Sequence, residues 1–241
     1  MFRQTRAIAE EIGDESALAY AIQYLGGIAM HQGDAKRGLV MYEDALAQLR
    51  KLEDRPGLVI LLFQLGVCNI LLGDVERALA ATDESLRVNG DNDEHWCRAY
   101  ALYNKALCLW MRGDYRESAE LAAASIRLKH QLGNLHGIAH CLEVLSWVAA
   151  QQGRHQRTAW LMGAAHVLWM KIGSPLFGVK ILRGYHDAAE QCARQALGQR
   201  DYTDNFQVGM GLTLDQVVDR ATGDGRMAPG SPTPGLPQNG A

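Results

Sequence analysis

The sequence predicts an all-α solenoid: about four helix–turn–helix repeats with a forty-residue period, closed by a C-terminal helical cap. Three observations predict it. A Gly-Asp step recurs at Gly33-Asp34, Gly73-Asp74 and Gly113-Asp114, with an echo at Gly153-Arg154, forty residues apart each time. The same step relates Leu25-Gly26, Leu65-Gly66, Lys105-Ala106 and Leu145-Ser146, and also the polar residues Asp14, Asp54, Glu94 and Asn134. Pro56 and Pro175 are the only prolines in the first 221 residues, both near expected helix starts where a missing N–H costs little, and no stretch alternates with period two. A fixed period of this size marks stacked units, none of which buries its apolar face alone.

The elements follow in order. Residues 1–12 read as the second helix of a truncated upstream repeat. Four repeats then occupy 13–52, 53–92, 93–132 and 133–172. In each, Asp14, Asp54 or Asn134 caps a first helix by accepting bonds from its free N–H groups. At Glu94, a poorer cap, Asp91 or Asp93 can serve instead. The first helix ends in a glycine able to take the left-handed conformation, and the following Asp34, Asp74 or Asp114 caps a second helix. Small residues at Gly26, Gly66, Ala106 and Ser146 on the first helix, and Ala45, Ser85, Ser125 and Ala165 on the second, allow close approach. Leu65 is expected to fill the space between such helices. The first helix of repeat two is apolar nearly all round, whereas its partner carries Glu76, Arg77, Asp83, Glu84 and Arg87, which predicts an inner apolar layer and an outer amphipathic one. Residues 173–221 form a helical closing segment. In 222–241 nine of twenty residues are Gly or Pro, so a disordered tail is expected.

The pattern of Leu25, Gly26, Gly33, Tyr42 and Ala45 resembles the tetratricopeptide repeat, whose usual unit is about 34 residues. Forty implies helices about a turn longer. Such units are similar to those in the C-terminal part of large bacterial ATP-binding LuxR-type and AfsR-like transcriptional regulators. The resemblance is most specific at Arg157-Thr158-Ala159-Trp160-Leu161-Met162-Gly163-Ala164-Ala165 and Gly173-Ser174-Pro175. It continues through Tyr185, Ala196-Leu197-Gly198, Phe206, Gly209 and Leu212-Thr213-Leu214-Asp215-Gln216-Val217. It implies a right-handed superhelix and a module that passes a binding event to an ATP-dependent switch. The helix-turn-helix reader that commonly follows in LuxR-type members, and the phosphate loop of the switch, are not found in these residues, so a fragment or remnant of such a regulator is expected. A stand-alone scaffold or adaptor is the alternative.

Lys plus Arg number 24 against 27 Asp plus Glu, a net charge of −3, which argues against a chain built to grip nucleic acid or an anionic membrane. The densest apolar stretch, Leu58 to Phe63, is too short to span a bilayer. Five cysteines with no Cys-x-x-Cys pair suit a reduced, cytoplasmic compartment. Cys68 and Cys108, forty apart, read as buried packing residues. His136 and His140 share a helix face near Cys141, a spacing that can ligate zinc, but no glutamate lies between them. No nucleophile–base spacing is recognisable. The chain is read as non-enzymatic, with no cofactor and no metal. The functional candidate is instead the groove lined by the first helices: Tyr20, Gln23, Tyr24 and His31, then Phe63 and Gln64, then Tyr100, Tyr103, Asn104 and Trp110, and finally His140, Glu143 and Trp147. Aromatics interleaved with amides suit a protein or peptide segment, joining contact area to orientation by hydrogen bonds. Gln23, Phe63, Tyr103 and Glu143 are poor substitutes for the cationic clamp by which chaperone-binding relatives of this repeat hold a terminal carboxylate.

Overall fold

In the computed structural model, residues 2–90, 95–173 and 180–223 are described. The expected caps Asp91, Asp93 and Glu94, the Ser174-Pro175 step and residues 224–241 of the expected tail lie outside them. The described residues form eleven helices and no strand: α1 (Phe2–Ile12), α2 (Glu15–His31), α3 (Ala35–Lys51), α4 (Arg55–Leu72), α5 (Val75–Asn89), α6 (His95–Arg112), α7 (Tyr115–Gln131), α8 (Leu135–Gln151), α9 (His155–Ile172), α10 (Lys180–Met210) and α11 (Leu214–Thr222). The pairs α2–α3, α4–α5, α6–α7 and α8–α9 are the successive hairpins of a tetratricopeptide-like solenoid, and α10 and α11 close it.

Local chemistry explains most starts and stops, although the expected cap Asp114 accepts no bond from the first turn of α7. Asp14, Asp54 and Asn134 accept bonds from the backbone N–H of Ala17, Gly57 and Gly137, and Asp34 and Asp74 do the same for Arg37 and Arg77. A finer regularity sits under the forty-residue period. Positive φ recurs every twenty residues, at Gly13, Gly33, Glu53, Gly73, Gly113, Gly133, Gly153 and Gly173. The N–H of the next residue reaches back to the preceding helix, as in Asp34 N to Ala29 O at 2.9 Å and Asn134 N to Lys129 O at 2.8 Å. Turns within and between hairpins therefore share one left-handed closure, followed by a side-chain cap after Gly13, Gly33, Glu53, Gly73 and Gly133. Glu53 alone among these eight departs from glycine.

Packing follows the small residues. A Cβ on Gly66 would lie 2.7 Å from Thr82 Oγ1, and Leu65 is buried in a cluster with Tyr42, Ala45, Leu49, Leu61 and Cys68. The tightest crossing lies between α9 and α10, where a Cβ on Gly163 would meet Phe206 O at 2.0 Å and one on Gly209 would meet Trp160 O at 1.9 Å. Here backbone rests on backbone, which only glycine permits.

First helices form the inner layer. α2 touches α4, α4 touches α6 and α6 touches α8, whereas α3, α5 and α7 have at most glancing contact with one another. A stack whose first helices approach more closely than its second helices bends towards the first. α4 corrects one expectation: its 18 residues have a mean hydropathy of 1.8, enough by length and composition to cross a membrane, although 56% of it is buried among other helices. In α8 every residue from Cys141 to Ala150 is buried, since α6, α7, α9 and α10 all pack on it.

Candidate functional site

The inner faces of α2, α4 and α6 are stitched together by amides. Gln23 Nε2 donates to Gln64 Oε1 at 2.8 Å, and Asn104 Nδ2 donates to Phe63 O at 2.9 Å. The Gln23 and Asn104 oxygens are buried and accept no bond within the described residues. Around this seam Phe63 packs against Trp96 and Tyr100, with ring centroids 5.4 and 5.7 Å away. Trp96 stands 43% exposed and Tyr24, stacked on Phe2, 54% exposed. Gln64 and Tyr103 are half-buried and His31 is exposed, its Nδ1 3.1 Å from Gly27 O. Trp96 was missed by sequence reasoning, because it follows a helix start at which Asp91, Asp93 and Glu94 compete as caps.

Tyr20 and Tyr100 act between repeats. Tyr20 Oη donates to Asp54 Oδ2 at 2.7 Å, and Asn134 Nδ2 donates to Tyr100 Oη at 3.0 Å, so each braces the cap of the next repeat. Burial, and then the bond to Asp54, raises the Tyr20 hydroxyl to about 12. Beside Tyr100 lies a group with no sequence signature. Lys129 is fully buried, its Nζ 4.6 Å from the ring centres of both Tyr100 and Tyr103 and 3.5 Å from Cys141 Sγ. Burial holds its ammonium below the usual lysine range. His140 lies against Tyr103, His136 and Trp169; burial, then the charges of His136 and Lys129, lowers it to about 3. Among the described residues no three metal-binding side chains converge. Cys68 and Cys108 are buried, and burial raises their thiols to about 11 and about 12.

The fourth repeat corrects the groove. Glu143 and Trp147, each 1% exposed, do not line an open trough, because the first half of α10 lies over them. Tyr185 of α10 packs on both Trp110 and Trp147, at 4.6 and 5.5 Å between ring centres. Glu143 accepts from Trp169 Nε1 at 3.3 Å and pairs with His186 Nδ1 at 2.8 Å. For His186, burial works against the charge, but the Glu143 bond and the carboxylates of Glu143, Glu190 and Asp187 raise its pKa overall. Trp110, Glu143 and Trp147 thus serve as the seat of the closing segment. A cavity of about 590 Å³ remains between α8, α9 and α10, with Glu143, Trp169, His186 and Phe206 among its walls. The structure therefore joins Gln23, Phe63 and Asn104, which are themselves buried and do not line an open trough, in a seam beneath the half-buried Gln64, Tyr100 and Tyr103, flanked by exposed Tyr24 and half-buried Tyr20. It withdraws Trp110, Glu143 and Trp147 from the inner face.

A curved array of helical hairpins with an open, aromatic inner face defines the class: a tetratricopeptide-like solenoid, an architecture built for binding other molecules along its inner surface. Residues 15–89 match the family described as tetratricopeptide repeat. The fold is similar over the whole chain to the crystal structure of BtubC (BKLC) from P. vanneervenii, with a TM-score of 0.61, 14% identity and coverage of 94% of that chain. In sequence it is similar to candidate HTH-type transcriptional regulators of Mycobacterium bovis and Mycobacterium tuberculosis, at 25% identity over 214 residues. That alignment covers 88% of this chain and 23% of each relative, so the chain spans about a quarter of their length.

Proposed function

We propose that the chain is a non-enzymatic interaction module that holds an extended protein or peptide segment across the inner face of α2, α4 and α6. Its setting would be a cytoplasmic, ATP-dependent bacterial transcriptional regulator of LuxR-type or AfsR-like kind. One observation carries the binding role: Tyr24 and Trp96 stand exposed, with Gln64 and Tyr103 half-buried beside them, on the first three inner helices, while the fourth inner helix is closed by the chain's own α10. Large aromatic surface beside amides that can order a backbone is the composition that anchors peptides. The similarity to candidate HTH-type regulators supports the setting. In such a protein a segment that prefers one curvature of the array would shift its population and so bias the switch.

Selection of unstructured peptides from a display library on the full chain tests the binding role. Selected peptides should bind the Tyr24→Ala/Trp96→Ala double variant at least about thirtyfold more weakly, a loss of hot-spot size. Unchanged binding with intact helicity removes the inner face from consideration. The coding sequence on either side tests the setting: an ATP-binding domain and a helix-turn-helix reader in the same frame are expected, and their absence favours a stand-alone scaffold.

A further inference from the structure

A second concave region lies away from the inner face, where α9 begins and α11 ends. It is a cavity of about 770 Å³ whose walls include Arg154, Arg157, Trp160, Asn205, Asp219 and Arg220. That volume falls in the range of small-molecule sites. Arginines dominate its charge. The guanidiniums of Arg157 and Arg220 lie 5.4 and 4.7 Å from the centre of the Trp160 ring, and Arg154 is one turn before Arg157. Among the described residues no carboxylate is in ion-pair contact with any of the three, Asp219 included. Elsewhere surface arginines such as Arg50, Arg77 and Arg194 hold Glu84, Glu43 and Glu190. A chain of net charge −3 thus leaves three cations together around one hollow.

The scaffold beneath them is fixed. Arg157 donates to Ala221 O at 3.0 Å, and Arg127, on α7, donates to Thr222 O at 2.8 Å. His130 on α7 meets Asp215 at 2.9 Å, and a capping box formed by Thr213 and Gln216 starts α11. Arg220 is therefore carried on a helix tied to the array at both ends. The start of α9 adds to the positive field. α3 and α5 begin behind Asp34 and Asp74, whose carboxylates cap them, and α7 begins behind an uncapping Asp114, whereas α9 begins behind a cation, Arg154, and has no side-chain cap. His155 Nδ1, which also lies at this wall, is buried without a hydrogen-bond partner among the described residues. Burial, then the charges of Arg154 and Arg220, lowers the Arg157 pKa.

We propose that this cavity binds a small, multiply charged anion of the phosphate-ester or pyrophosphate class, held by Arg154, Arg157 and Arg220. Guanidinium forks match phosphate oxygens two at a time, and three of them exceed what a single carboxylate can use. The site is separate from the inner face, so the two can be lost independently.

Titration of the full chain with pyrophosphate, followed by calorimetry, tests it. Arg154 and Arg220 are exposed, so the Arg154→Gln/Arg220→Gln variant should fold, and circular dichroism confirms that. Its pyrophosphate affinity should fall at least about tenfold, while Trp96→Ala binds as the parent does. Arg157→Lys, which keeps the charge and loses the fork, should fall between the two. Equal binding by parent and double variant, or no binding at millimolar pyrophosphate, overturns the proposal. Binding of a phosphoserine peptide that pyrophosphate cannot displace overturns it as well, in favour of a phosphorylated protein.

Discussion

The junction between repeats one and two and the junction between repeats three and four are the same construction eighty residues apart. In each, a tyrosine of the inner helix bonds the cap of the next repeat: Tyr20 with Asp54, and Tyr100 with Asn134. In each, a glycine of the new helix makes room for a side chain from the preceding one. A Cβ on Gly57 would meet Leu49 Cδ2 at 2.9 Å, and one on Gly137 would meet Lys129 Cδ at 2.6 Å. Both turns carry positive φ, at Glu53 and at Gly133. The chemistry nevertheless differs at the side chain that each glycine admits, Leu49 in one and Lys129 in the other. The first junction buries a leucine and has a carboxylate at the helix cap, while the second buries an amine with no carboxylate beside it. Repetition of turn geometry sets where side chains meet, and leaves open what they are.

Five substitutions break or sharpen that parallel. Leu49→Ala should have the largest effect, a loss of about 2–5 kcal/mol, since Leu49 is fully buried; denaturant melts measure it, and a loss below about 1 kcal/mol would show that the junction is not a packed core. Lys129→Leu, which copies the first junction into the second, should instead stabilise by about 1–3 kcal/mol at neutral pH, because the buried amine no longer has to shed its charge or its hydration. The sign with pH is set by the lowered folded pKa of Lys129. Between that value and the unfolded one of about 10.4, the unfolded chain binds the extra proton, so parent stability rises with pH and the advantage of Lys129→Leu shrinks. A pH-independent advantage would mean that Lys129 stays charged in the fold.

Smaller effects separate the two tyrosines. Tyr20→Phe removes a bond to a carboxylate and should cost about 1.5 kcal/mol, whereas Tyr100→Phe removes a neutral bond and should cost about 0.5 kcal/mol. Equal costs by thermal melting would deny the charge assistance. Glu53→Gly, which gives the first turn the residue found in the second, should gain less than about 1 kcal/mol: relief of the left-handed conformation is partly offset by the freer unfolded chain. A measured loss would show that the Glu53 side chain contributes more than its backbone costs.

Much of the fold was legible because its rules are local. The caps at Asp14, Asp34, Asp54, Asp74 and Asn134 and the turn glycines act within a few residues of themselves, and their spacing survives in any single sequence. The twenty-residue half-period was harder to see, since Glu53 interrupts the row of glycines and only its φ shows that it belongs. The candidate site was legible as spacing in its first three repeats, where repeat position alone brings Gln23 to Gln64 and Asn104 to Phe63, but the burial of Gln23, Phe63 and Asn104 was not. It was not legible at Trp110, Glu143 and Trp147. Their surroundings depend on Tyr185 and His186, which lie in a segment outside the period and carry no register to count from.

By itself, then, the sequence determined that hairpins of helix succeed one another at constant offset and which residues begin and end them, because hydrogen bonding at helix ends is settled between near neighbours. Only the tertiary structure decided that α10 closes the fourth inner helix, that a lysine stands in the place of a leucine, and that three arginines at the start of α9 and the end of α11 share one hollow. Those outcomes come from contacts between elements that do not repeat one another, where burial and charge depend on which distant side chain arrives.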